Sequence, residues 1–133
     1  MIRYLLDTNV CIDLLKGRSP RLDTRLRQCG AGELGVSVIT VYELFYGAHK
    51  SSRVASNRAA LATFFLPFDL ISFDENAAAL AGEVRALLER AGSPIGANDL
   101  LIAAQALALG VTAVTDNERE FRRVPGLLVE NWT

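Results

Sequence analysis

The chain is poor in the side chains that most enzymes use as nucleophiles and bases. In 133 residues it has one histidine, His49, two cysteines, Cys11 and Cys29, and two lysines, Lys16 and Lys50. The cysteines lack CxxC spacing and have no histidine cluster beside them, so zinc binding and dithiol redox chemistry have no framework. Reduced, partly buried thiols are the expectation. A serine or cysteine triad would have to run through His49. That residue follows Gly47-Ala48 at the expected end of a helix, where a cation suits the dipole. No apolar run reaches the roughly 18 residues of a membrane span. The apolar stretch at 2–6 is too short for a secretory signal and is closed by Asp7. A soluble cytoplasmic protein with no membrane partner is the expectation.

What is present is ordinary for a globular domain. Half the residues are hydrophobic and 22% are charged, in a chain of the length that builds one core. The net charge of −1 does not advertise a nucleic-acid partner. The basic residues are nearly all arginine, however, with clusters at Arg18, Arg21, Arg25 and Arg27 and at Arg119, Arg122 and Arg123. Arginine is the better fork for phosphate, although solvated arginine faces are also common on proteins that bind no nucleic acid.

Strand-like and helical patterns alternate along the chain. Residues 2–6 read as a buried strand, followed by the helix-start cluster Asp7-Thr8-Asn9 and apolar positions Val10, Ile12, Leu14 and Leu15. Gly17-Arg18-Ser19-Pro20 breaks that helix, and a short helix over about 20–29 ends at Gly30-Ala31-Gly32. Residues 34–40 are apolar or small on both faces, as in a parallel strand covered on both sides. Val41, Leu44, Phe45 and Ala48 then form one helical stripe. A helix over about 53–66 stops at Pro67, and a short strand is expected at 70–73. Asp74 caps a long helix with Leu80, Val84, Leu87, Leu88 and Ala91 on one face. Asp99 opens a helix over 100–109 that is apolar nearly all round apart from Gln105, and such a helix belongs in the interior. A strand over 111–115, a polar turn and a last strand at 127–129 complete the chain. The alternation implies a single α/β domain with a central parallel sheet flanked by helices. In such sheets the ligand sits beyond the carboxyl ends of the strands.

Four acids fall at that edge. Asp7 follows the first strand, Glu43 lies in the first turn after the second, Asp99 starts the buried helix, and Asp116 follows the strand ending at Thr115. Each has a plain structural role open to it. Asp7 and Asp99 make good helix caps, Glu43 points away from its helix's apolar stripe, and Asp116 sits in a polar turn. Together they suggest more. Carboxylates brought close cannot all stay ionised without a counter-charge. Hard oxygen ligands suit Mg²⁺ or Mn²⁺, and such an ion activates water and steadies a phosphoryl group in displacement. With no catalytic His, Cys or Lys on offer, a metal-and-carboxylate phosphodiesterase is the economical enzyme reading.

These residues resemble the PIN-domain family, and within it the VapC toxins of bacterial toxin–antitoxin pairs. The matching segments are Leu6-Asp7-Thr8-Asn9-Val10, then Val41-Tyr42-Glu43-Leu44 with Tyr46-Gly47-Ala48, then Pro94-Ile95-Gly96-Ala97-Asn98-Asp99-Leu100. They continue with Val114-Thr115-Asp116-Asn117 and run through Glu120-Phe121-Arg122-Arg123-Val124-Pro125-Gly126-Leu127 to Glu130-Asn131-Trp132. The resemblance implies one PIN domain over 1–133, Mg²⁺- or Mn²⁺-dependent cleavage of structured RNA such as tRNA, a homodimer, and inhibition by a VapB-type antitoxin. It carries metal binding onto Asp7 and Asp99, a catalytic acid onto Glu43, and a supporting role onto Thr115. Many family members have an acid two residues after that threonine. Here the position is Asn117, which leaves Asp116 and Glu120 as the two acids open for a fourth place.

Phe45, Phe64, Phe65, Leu66 and Phe68 either line an apolar groove for an amphipathic antitoxin helix or are simply core. Two other phosphoryl-handling folds also place an acid after the first strand. An aspartyl phosphatase needs a second Asp where this chain has Asn9, and a lysine at a later strand end. A receiver domain needs a lysine after the 111–115 strand. The chain has neither. A catalytically silent PIN-like binding module stays as the alternative, and the presence of Asp7, Glu43 and Asp99 together weighs against it.

Overall fold

Tyr4, Leu5 and Leu6 are all buried, and they form the middle of the molecule. In the computed structural model, which describes residues 1–133, they are strand β1 (Tyr4–Leu6) of a five-stranded sheet. On one side lie β2 (Leu34–Ser37) and β3 (Asp69–Ile71); on the other lie β4 (Thr112–Val114) and β5 (Val129–Glu130). The order is β3-β2-β1-β4-β5 and every neighbouring pair is parallel. The chain therefore leaves β1 towards one edge and later returns to build the other. That reversal makes the carboxyl end of β1 the switch point, where an open sheet leaves a crevice.

Helices cover both faces. Tyr4 and Leu6 point into one core, packed by α1 (Thr8–Lys16), α2 (Pro20–Arg27), α3 (Val38–His49) and α4 (Val54–Phe65). Leu5, with its side chain on the opposite face, lies in the second core, under α5 (Glu75–Arg90), α6 (Ala97–Leu109) and the short α7 (Glu118–Phe121). In β2, Gly35 sits where a Cβ would come within 2.7 Å of the Ile2 Cδ1 methyl and 3.3 Å of Ile71. A larger residue there would force the Ile2 and Ile71 side chains to shift. No helix is long and apolar enough to cross a membrane.

The structure moves several boundaries, each for a local reason. Residues 38–40, expected as the end of a strand, are the first turn of α3. Ser37 Oγ accepts the Ile39 N–H at 3.1 Å and caps the helix there, so a good cap overrides a β-branched run. Helix α6 begins at Ala97, after Gly96, and neither Asn98 nor Asp99 caps it. On α5 the buried face is Ala77, Ala81, Val84 and Leu88, whereas Leu87 is largely exposed. The small alanines let α5 pack closely along α6. The polar turn after β4 contains α7. Gln105 is buried, and its amide anchors α6 by donating to the Ser72 carbonyl at 2.9 Å. The aromatic residues proposed for a groove mostly pack on one another: Phe65 is buried and stacks against Phe45 and Phe64, and Phe64 against Phe68. Only Leu66 of that set is fully presented to solvent.

Candidate active site

Asp7 begins where β1 stops. Its N–H still reaches the Val114 carbonyl at 3.0 Å, so the residue is gripped between the ends of β1 and β4. Its Oδ1 accepts from Val10 N at 2.8 Å and caps α1, while its Oδ2 accepts from the Thr115 hydroxyl. Thr115 Oγ1 in turn accepts the Asn117 N–H at 2.8 Å. The cap and the candidate ligand are thus one residue. A cap needs only an acceptor, and a neutral asparagine would serve as well. Instead the chain buries a carboxylate that is 1% exposed. Burial pushes its pKa up to about 7; the hydrogen bonds from Thr115 and Val10 oppose the shift, and the charges of Asp116 and Asp99 reinforce it.

Glu43 lies in the second turn of α3, one turn later than the sequence suggested, because the helix starts at Val38. It is half-buried rather than free in solvent. The Thr8 hydroxyl donates to Glu43 Oε1 at 2.6 Å, and Thr8 Oγ1 lies 3.0 Å from Thr40 Oγ1. Thr8 therefore fixes one carboxylate oxygen and is itself steadied by Thr40, and Glu43 lines the groove described below. Asp99 sits inside the first turn of α6, half-buried. Its pKa is raised, first by burial and then by the charges of Glu120 and Glu43. Asn117 Nδ2 reaches both Glu120 Oε2 at 2.6 Å and Asp99 Oδ2 at 3.4 Å.

The structure thus brings Asp7, Glu43 and Asp99 to one edge, with Thr115 beneath Asp7. It separates the two acids left open for the fourth place. Asp116 is exposed with no side-chain hydrogen bond, near enough to Asp7 to raise its pKa. Glu120 is half-buried, tied through Asn117 to Asp99. An asparagine at 117 puts two N–H donors between two carboxylates, where an aspartate would have added another negative charge. Thr8, Thr40 and Asn117 were not picked out as supporting residues. Their signal, polar side chains beside each acid at a strand end, was present but is also the signal of an ordinary helix start.

No ion pair reaches this cluster. Every acid with a basic partner lies elsewhere: Glu33, Asp13, Glu130, Glu89 and Glu118. The donors are carboxylate oxygens without histidine or thiolate, a set that fits a hard divalent cation. No three of the acids converge at chelating distance as they stand. The fit is therefore to an ion held by two carboxylates and completed by water or phosphate oxygens, the mode that Mg²⁺ favours. Glu43 and Asp99 line a groove of about 550 Å³ whose walls also include Asn9, Tyr42, Tyr46, Lys50 and Asn98, and Asp7 lies buried behind it.

Known proteins resemble the chain along its whole length. The PIN domain model matches residues 4–127. The chain is 38% identical over 133 residues to a Shigella flexneri protein named tRNA(fMet)-specific endonuclease VapC, covering 100% of both chains. It is 41% identical over 132 residues to Ribonuclease VapC2 of Haemophilus influenzae, covering 99% of both. Among solved structures, it superposes with a TM-score of 0.94 at 37% identity on a chain of DNA-bound VapBC from Salmonella typhimurium. For VapBC2 of Rickettsia felis bound to a fragment of its promoter the TM-score is 0.93 at 36% identity. Both superpositions cover 100% of each chain.

Proposed function

The chain belongs to the PIN-domain family, and on that premise we propose that it is the ribonuclease toxin of a toxin–antitoxin pair, acting with a divalent cation. Its end-to-end similarity to proteins named as VapC ribonucleases supports the reaction class. The observation that carries the reading is Asp7. A buried carboxylate, pushed up to about 7 and surrounded by further acids with no basic group, is costly in the bare protein. It makes sense as half of a cation site. Residues 1–133 act as one such domain, since Trp132 near the end packs against Tyr4 of the central strand.

In this proposal Asp7 and Asp99 hold the ion, Mg²⁺ in the first instance and Mn²⁺ as its substitute. The ion supplies positive charge for a phosphodiester oxygen and a more acidic water. The side chains do the rest. Thr115 and the Val10 N–H fix the rotamer of Asp7. Glu43 is held through Oε1 by Thr8 on the groove wall, and in this reading it takes a proton from an attacking water. Glu120, positioned by Asn117, supplies the fourth acid in preference to the exposed Asp116.

The partner is a VapB-type antitoxin, as the toxin–antitoxin assemblies among the structural relatives suggest. Its seat is a groove of about 440 Å³ between α1, α3 and α4, with Ile12, Leu15, Leu44, Ala60 and Leu61 in its walls. That apolar groove suits the face of an amphipathic helix. It also reaches Glu43, so an occupant would lie against the catalytic acid, which accounts physically for inhibition.

The test is cleavage of total tRNA by purified, antitoxin-free protein, with Mg²⁺, Mn²⁺ or chelator, beside Asp99→Asn. Discrete cuts that need the metal and vanish in the variant are expected. Equal cutting by the variant would show that the site is misplaced. A folded, metal-loaded wild type that cuts no RNA would turn the reading towards a binding module.

A further inference from the structure

Helix α3 presents a second pattern on the wall of the acidic groove. Tyr42, Tyr46 and Lys50 recur every four residues, so they form one strip along the helix. Tyr42 is 60% exposed and Tyr46 59%, although both line the groove that contains Glu43 and Asp99. Lys50 Nζ lies over the Tyr46 ring, 5.2 Å from its centroid, and is the groove's only basic side chain. Gly47 lies between these residues on the groove wall, and a Cβ there would meet nothing within 4 Å. The wall between Glu43 and Lys50 is therefore open.

We propose that this strip binds the unpaired nucleotides flanking the scissile bond, with Tyr42 and Tyr46 stacking on nucleobases and Lys50 meeting a backbone phosphate. The inference rests on the nuclease reading of the adjoining acids and adds the substrate feature they recognise. Exposed aromatic side chains beside a cation are what a single strand engages without regard to sequence. A duplex hides its base faces and offers mainly phosphate and 2′-hydroxyl groups. The strip also solves a problem of sign, because an acidic centre repels RNA. Stacking is indifferent to that repulsion, and Lys50 stands at the far end of the strip from Glu43. The apolar groove across Glu43 has a different character, with a wall of leucine, isoleucine and alanine side chains. The occupant of the tyrosine side is thus better matched to bases than to an aliphatic helix face. A second copy of the chain is the competing occupant for an exposed aromatic strip.

The experiment reads binding without turnover. A fluorescein-labelled 12-nucleotide RNA of mixed sequence is titrated by anisotropy into protein carrying Asp99→Asn, where the strand stays intact. The same strand annealed to its complement is the control. Tyr46→Leu is expected to raise Kd for the single strand about ten-fold, the size of one stacked base, and Tyr42→Leu by a similar factor. Tyr→Phe at either position should restore most of the affinity, since the ring face is what counts. The duplex should respond to Lys50→Ala but not to the leucine changes. In the cleaving protein the leucine changes should raise KM far more than they lower kcat. Unchanged single-strand affinity in both leucine variants would overturn the proposal. So would equal losses for strand and duplex. A leucine variant that loses self-association in sedimentation, with RNA affinity intact, would assign the strip to a second copy instead. Failure of the wild type to cut any RNA would sink the nuclease reading alone, because the binding titration stands apart from it.

Discussion

Two populations of carboxylates in this molecule face opposite fates. Glu33 accepts from the Gly30 N–H and from Arg3, and its pKa is lowered; Glu118 accepts from Arg122 and Asn131, and its pKa is lowered too. Those acids sit on the surface with partners in the same chain. Asp7 and Asp99 are withdrawn from solvent at the switch point of the sheet, have no basic partner, and are raised. The first pair is finished when the chain folds. The second finds no such partner in the chain, and in the proposed function a cation supplies it. The fold enforces the difference: Asp7 cannot swing away, because its backbone is locked to β4 and both of its oxygens are engaged.

The strongest way to break this contrast is to make Asp7 neutral. Asp7→Asn keeps a capping oxygen for α1 and removes the charge. RNA cleavage should fall by well over the 10- to 100-fold that loss of a merely supporting partner costs. The metal-free variant should nevertheless melt several degrees higher than metal-free wild type at pH 8. A cation should stabilise wild type and leave the variant unmoved. A cleavage time course checks the first, and differential scanning calorimetry with and without Mg²⁺ checks the other two. A variant that is less stable than wild type without metal would show that Asp7 is an ordinary cap.

Next in size is the pH dependence of the metal-free protein. The ordinary pKa of an aspartate is near 3.8, and that of Asp7 in the folded chain is about 7. Between those values the folded chain binds more protons than the unfolded one, so stability must rise as pH falls through that window. At 1.36 kcal/mol per unit the full effect is on the order of 4 kcal/mol, and the raised Asp99 adds in the same direction. The paired acids have the opposite sign. Their contribution is present above the unfolded value near 4.5 and is lost below it. Metal-free protein should therefore be most stable near pH 4.5, at the lower end of that window, and should lose stability steadily as pH rises towards 7. Saturating metal should flatten the upper side of that curve, since the ion competes with the proton. Denaturant melts from pH 4 to 9, with and without metal, give the comparison. A metal-free curve that climbs from pH 6 to 8 would contradict the assigned burial of Asp7.

How far the sequence exposed this arrangement depends on the element. Asp7 was legible because it closes an unambiguous apolar strand, and Asp99 because an acid at the head of an apolar helix is hard to excuse as solvation. The sheet and its parallel sense followed from alternation. Glu43 was displaced by one turn because Val38-Ile39-Thr40 reads as strand, while the Ser37 cap that settles the matter is a single hydrogen bond. The buried face of α5 was misread for a different reason. Ala77 and Ala81 carry little hydrophobic signal, yet close packing against α6 selects them over the exposed Leu87. Glu120 and Asp116 could not be told apart, because α7 (Glu118–Phe121) is too short to show a period. The phenylalanines stayed open between groove and core because one-dimensional pattern cannot separate a wall from a core.

Within the acidic set, Glu120 and Asp116 sharpen the contrast at a smaller scale. Glu120→Gln should weaken metal binding by several-fold and cleavage by about ten-fold, in the range of a supporting partner. It leaves Asn117 with an altered acceptor and Asp99 with one fewer neighbouring charge. Asp116→Asn should change either by less than about three-fold, since that side chain is exposed and bonded to nothing. Titration calorimetry with Mn²⁺ and a cleavage time course separate the two. The reverse ranking would move the fourth acid to Asp116.

The smallest effect belongs to the finished pair on the surface. Glu33→Gln removes the partner of Arg3 at 2.9 Å but leaves an oxygen for the Gly30 N–H. An exposed ion pair of this kind contributes little and is screened by salt. The melting temperature should barely move at pH 7, and the difference from wild type should shrink further in high salt. It should vanish as pH falls below the usual carboxylate range, because the lowered acid is then protonated in both states. Metal affinity and cleavage should be unchanged. The value of so small an experiment lies in its sign. Neutralising a paired acid should cost the protein a little stability at pH 7, whereas neutralising Asp7 should add stability. If both substitutions moved stability the same way, the two populations of carboxylates would be one.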